Sequence, residues 1–226
     1  LRESRWFENW SMDFDYYRDL LTFAREQRIP IIALNAEKSL VAAVRSKTPD
    51  QLSAGERAHL PELDPTDPYH RAMAQAILGD RRHHGGVALD GFIRIQTLWD
   101  ETMAESAARY LASPAGSHKH LLVVAGGNHV QSGFGIPRRA FRRLPASYVL
   151  IGGKEINIPE DKLDRLMDVD LPALPMTPYD FIVYLAYEDL PQRGVTLGVT
   201  IEPAPPGRGL AVKTVAPGSN AERAGL

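Results

Sequence analysis

The sequence predicts an α/β fold with a mostly parallel sheet, and three observations predict it. First, "IPIIALN" (29–35) and "HLLVVAGG" (120–127) are continuous apolar runs, the pattern of strands buried on both faces of a parallel sheet. Second, segments with apolar residues at three- and four-residue spacing alternate with these runs. Third, proline and glycine punctuate the junctions. A strand–helix rhythm of this kind builds βαβ units.

The elements follow in order. From Asp13 to Arg28, Phe14, Tyr17, Leu20, Leu21 and Ala24 fall on one helical face, and Pro30 stops the helix. After the run at 29–35, "AEKSLVAAVRS" reads as a helix. Residues 48–68 turn polar and proline-bearing, a loop with room for one helical turn. "YHRAMAQAILGD" is helical and stops near Gly79. The longest helix is expected from Leu89 to Ala112, because Phe92, Ile95, Trp99, Met103, Ala107, Tyr110 and Leu111 keep helical spacing for about six turns. "HLLVVAGG" reads as the second strand, "IPRRAFRRL" as a short helix opened by Pro137, and "SYVLIGG" as a third strand. "DKLDRL" is a helical turn and "TPYDFIVYLAYE" another strand.

Near Gln192 the character changes, dividing the chain into 1–190 and 191–226. The second part has two β-like runs split by a Pro/Gly turn. Ser219 with Glu222 forms a capping box that starts a helix at Asn220, and Gly225 suits its C-terminus. So short a segment buries little core by itself, so it reads as a fragment, a docked appendage, or both.

Composition sets outer limits. The 226 residues carry 44% hydrophobic and 24% charged side chains, ordinary for a folded protein. A net charge of −2 supplies no general field for nucleic acid or an anionic membrane. With no cysteine there is no disulfide, thiolate metal site or cysteine nucleophile. No uninterrupted apolar run approaches the ~20 residues that span a bilayer. The opening "LRESRWFENW" is neither a signal peptide nor a methionine start, so the chain reads as cut from something longer.

His129 is the leading candidate for function. Ligands in open parallel sheets bind beyond the carboxyl ends of strands, where residues after "LLVVA" stand. Gly126 and Gly127 permit positive φ and close approach of a ligand to the backbone. An imidazole there can ligate a metal or haem iron, move a proton or meet an anion; the plain alternative is a histidine bonded to a neighbouring backbone group. His83 and His84, in a loop before two glycines, either reach a ligand or are simply solvated. His118 and His120 lie at the other end of the run and are expected to face solvent. Gln96 and Asp100, four apart on the long helix with Glu101 beside them, suggest either a buried polar network or groups that orient a histidine from behind; the bland reading is an exposed face plus one helix-to-loop hydrogen bond. Arg138, Arg139, Arg142 and Arg143 either meet carboxylates of a ligand or phosphates of lipid or are a solvated run, the commoner case. Tyr16 and Tyr17 are the tyrosines nearest a cleft by position; tyrosinate ligates haem, whereas tyrosine at helical spacing is usually core. There is no phosphate-binding glycine loop, no His-Glu-x-x-His and no Gly-x-Ser-x-Gly.

Three ordered blocks, "NWSMDFDYYRDLLTFAREQRIPIIALN", "IQTLWDETMAESAARYL" and "LLVVAGGNHVQSGFGIPRR", resemble the ChaN-type haem-binding lipoprotein family of bacterial iron uptake. Its more specific parts here are Gln96, Asp100, Met103 and Ala104, and the Gly-x-x-His block at Gly126 and His129. The resemblance implies a three-layer α/β/α domain binding haem, commonly as a homodimer with haem between protomers, in a periplasmic or outer-membrane-anchored lipoprotein. The wider superfamily resembles Tiki-type metalloproteases and erythromycin-esterase-like enzymes, which makes a metal-dependent hydrolase, with His129 holding a divalent metal, the alternative. The family's earlier Gly-Glu-x-His motif is absent, and the chain reads as starting after it. The tail is similar to the first half of a PDZ domain. By that resemblance Leu197, Gly198 and Val199 would present backbone N–H groups to the carboxylate of a C-terminal peptide.

Overall fold

The computed structural model describes Trp6 and residues 12–78, 85–165, 173–190, 197–203 and 209–226. The chain divides into two compact units, Leu1–Glu188 and Asp189–Leu226. Among the described residues no helix is long and apolar enough to cross a membrane.

In the first unit, Asp13 accepts a hydrogen bond from the Asp15 N–H and opens a 3-10 turn at Phe14–Tyr16. Helix α1 (Arg18–Glu26) therefore begins later than its apolar spacing suggests. Helix α2 (Lys38–Ser46) buries Leu40, Ala43 and Val44 with Leu52 and Leu98. The polar stretch that follows holds a 3-10 turn, Pro49–Gln51, and α3 (Ala54–Ala58), closed by the reciprocal Ser53–Glu56 capping box. Helix α4 (Pro68–Leu78) opens on a proline, and Asp67 accepts from the Tyr69 N–H at 2.9 Å.

Helix α5 (Gly85–Ala112) is the centre of the unit. Ile93, Ile95, Leu98, Met103, Ala104, Ala107 and Ala108 are all buried, so the helix is covered on more than the single face read from its spacing. Two further helices follow, α6 (Gly127–Val130) and α7 (Ile136–Arg143), the latter with a proline in its first turn. Met103, Ala104 and Ile136 form a core cluster joined by Leu34, Trp99, Val123, Ala125, Val130 and Ala140.

The sheet is smaller than the apolar runs suggest. Strand β1 (Ile151–Ile156) pairs in parallel with β2 (Phe181–Ala186), from Ile151 opposite Phe181 to Ile156 opposite Ala186. Residues 29–35 and 120–126 belong to no sheet, which corrects their reading as strands. They alternate instead. Leu121, Val123 and Ala125 are half-buried, while Leu122 is 76% and Val124 58% exposed. One side of the extended chain packs on the α5–α7 core and the other pairs with nothing among the described residues. The β1–β2 pair is also largely uncovered: every residue of β2 is exposed, and in β1 only Gly152 is buried.

In the second unit β3 (Val199–Pro203) and β4 (Leu210–Val215) pair antiparallel, with a bulge between Thr200 and Ile201. Helix α8 (Asn220–Arg223) starts on Ser219, whose hydroxyl accepts from the Glu222 N–H, and Gly225 follows at φ +82°.

Candidate functional site

The middle of α5 buries four polar side chains, Gln96, Thr97, Asp100 and Glu101. Buried polar groups are retained when partners satisfy them, and two of these carboxylates each organise a cluster.

Asp100 lies between two imidazoles. Its Oδ1 is 2.6 Å from Nδ1 of His129 and its Oδ2 is 3.0 Å from Nε2 of His70. The side chains are 1% (Asp100), 6% (His70) and 20% (His129) exposed. Burial by itself would raise the Asp100 carboxyl, but the hydrogen bonds from His129 and His70 outweigh it and hold it below the usual carboxylate range. Asp100 is therefore an anion with acceptors only, and each nitrogen facing it carries its hydrogen. His129 is left with a bare Nε2 that makes no hydrogen bond to any described residue. The Trp99 ring stands edge-on to the imidazole at 6.0 Å.

Each arm has a local cause. His70 sits in the first turn of α4, on the face of Met73 and Ala74, which buries it toward α5. His129 is carried by a tight turn. Its N–H donates to Gly126 O at 2.9 Å, and the Ser132 N–H donates to Pro178 O at 2.8 Å. The chain then reverses through Ser132 (φ +56°) and Gly133 (φ +74°). Gly126 itself is at φ −59° and Gly127 is helical, so neither is used for positive φ, contrary to their sequence reading. Gly127 serves close approach instead, since a Cβ there would sit 3.2 Å from the Tyr179 hydroxyl.

Glu101, fully buried, organises the second cluster. Arg142 and Arg143 donate to it at 3.1 and 2.6 Å, and the Asp64 N–H at 3.2 Å. Arg139 Nε lies 3.1 Å away, a charge contact without hydrogen-bond alignment. The arginine run is thus an internal clamp on α5, not the solvated face that such runs usually make. Arg138 joins the buried Asp67 at the start of α4. A groove of about 340 Å³ lies over α7, lined by Tyr69, Phe134, Phe141, Tyr148, Met176 and Arg138. His129 is not among its lining residues.

The other candidates stand apart from the triad. Gln96 is buried but makes no side-chain hydrogen bond to the described residues. Tyr16 is 63% exposed and Tyr17 lies edge-on to Trp6. His118 and His120 are exposed. His83 and His84 lie outside the described residues. In the second unit, Gly198 has φ +75° and its carbonyl accepts from Ala216 N–H, while Leu197 O accepts from Ala221 N–H. Val199 opens β3. His70 was missed in the sequence, although Met73 and Ala74 at helical spacing marked it as inward-facing. Among the described residues no group of three His, Asp or Glu side chains converges as a metal centre. The nitrogens of His70 and His129 nearest Asp100 are consumed within the triad.

Residues 1–140 match the family described as haem-binding uptake, Tiki superfamily, ChaN. No curated protein and no solved structure matches the chain.

Proposed function

The chain belongs to the ChaN family of haem-binding uptake proteins in the Tiki superfamily, and from that premise we propose that Nε2 of His129 is the nitrogen that meets haem iron. One observation carries this reading. His129 has Nδ1 fixed on a buried carboxylate and an Nε2 that bonds to none of the described residues, on a ring one-fifth exposed. A ligating histidine needs that division of labour, one nitrogen held by a second group and the other bare. The donor set fits haem, whose iron would be held by an imidazole nitrogen of the chain. Bound haem would supply an iron centre; the chain supplies the ligand, its tautomer and its orientation.

In this reading the protein handles haem as a three-layer α/β/α domain of a periplasmic or outer-membrane-anchored lipoprotein. Two copies share haem as a homodimer, and the PDZ-like tail offers the N–H groups of Leu197, Gly198 and Val199 to a C-terminal peptide. The family resemblances support these points. The carboxylate–imidazole pair also suits a general base, so a metal-dependent hydrolase is the second reading.

Titrating the protein with haem should give a saturable Soret band, and His129→Ala should weaken or shift it. Absence of saturable change, together with zinc-dependent hydrolysis of a peptide or ester that His129→Ala abolishes, would favour the second reading.

A further inference from the structure

His129 does not have Asp100 to itself. The two imidazoles approach opposite oxygens of one carboxylate, from α4 and from the turn after Gly126, at 3.0 and 2.6 Å. Both donate to the same anion. What His70 draws from that anion is no longer lent to His129. A carboxylate behind a ligating imidazole raises the basicity of its free nitrogen, and hydrogen bonding behind an axial ligand is one of the levers that sets an iron's reduction potential. A stronger donor stabilises ferric iron more than ferrous, because the ferric ion carries one more positive charge.

We propose that His70–Asp100–His129 biases this site toward ferric haem, with Asp100 strengthening His129 as a donor and His70 moderating that effect from the other oxygen. Asp100 and His70 are then positioning residues of opposite sign. The inference rests on His129 as the axial ligand.

The test is the midpoint potential of the full chain loaded with haem, followed spectroelectrochemically. Asp100→Asn should reduce the ferric-over-ferrous preference about tenfold, an upward shift of ~59 mV for a one-electron couple. His70→Phe removes the competing donor and should move the potential downward. His70→Gln keeps an N–H donor and should restore the wild-type value. A merely structural role would move Asp100→Asn and His70→Phe the same way, and that result, or no shift in either, overturns the proposal. If Asp100→Asn fails to fold, the His70→Phe and His70→Gln pair decides it by the sign of the first shift and its reversal in the second. A His129→Ala complex with the wild-type ferric spectrum would instead remove the axial-ligand reading beneath it.

Discussion

Gly135 rests against the backbone of His129 so closely that a Cβ on it would lie 2.1 Å from the His129 carbonyl oxygen. That contact closes the turn through Ser132 and Gly133 and fixes where the imidazole stands relative to Asp100. The near neighbour is backbone, so no side chain can move aside to make room.

Gly135→Ala should therefore cost about 1–3 kcal/mol, as overpacking does. For a chain of this size that is roughly 2–12 °C in Tm, accompanied by weakened haem binding. Gly126→Ala is the control, because its Cβ would meet His129 Cδ2 at an ordinary 3.7 Å. Thermal melts and Soret titrations of the two variants check this; equal effects would mean that the turn does not hold the ring.

Glu101→Gln removes the charge that faces three guanidiniums. Arg139, with its side chain 4% exposed, would keep a buried charge without its counter-ion. Breaking a buried pair from one side costs about 3–5 kcal/mol, so Tm should fall by more than about 6 °C. Arg142→Ala removes a side chain 36% exposed and leaves Arg139 and Arg143 facing the Glu101 carboxylate, so it should cost less than Glu101→Gln. Calorimetry on both variants measures the contrast.

The Asp100 carboxyl titrates below its usual range in the folded state, so below the unfolded value of ~3.9 the unfolded chain binds more protons there. Its contribution to stability is complete above that value and disappears as pH falls through the depressed folded pKa. Apo wild-type protein should lose stability below about pH 4 more steeply than Asp100→Asn, which has no carboxyl to protonate. Denaturant midpoints across that range test the sign, and parallel curves would contradict it.

How much of this was legible depended on whether the signal was local. The long helix could be read because Ile95, Met103 and Ala107 repeat along one face, and the turn after Ser219 because its cap lies within four residues. The runs at 29–35 and 120–126 misled because apolar residues report a side chain's surroundings, whereas a strand also needs a partner for its backbone groups. The arginines of α7 looked solvated because their counter-ion, Glu101, comes from a distant helix. Glycine identity was visible, but its reason was not. Gly135 is required by a carbonyl and Gly152 by a ring, where a Cβ would come within 2.5 Å of Tyr179 Cδ2.

Tyr179 links that ring contact to the candidate site. Its hydroxyl faces Gly127, where a Cβ would sit at 3.2 Å, tighter than ordinary van der Waals contact, and burial raises its pKa. Gly127→Ala therefore sets a methyl group against that hydroxyl, the one contact among the described residues that its Cβ would make within 4 Å outside its own turn. Tyr179→Phe deletes that oxygen and keeps the ring against Gly152. The double variant should be more stable than the sum of the single changes implies, by about 0.5–1.5 kcal/mol, within the range measured for residues in contact. A double-mutant cycle read by chemical denaturation gives the coupling directly. A coupling of zero would mean that the 178–180 segment does not hold the His129 turn, and that Gly127 answers to another constraint.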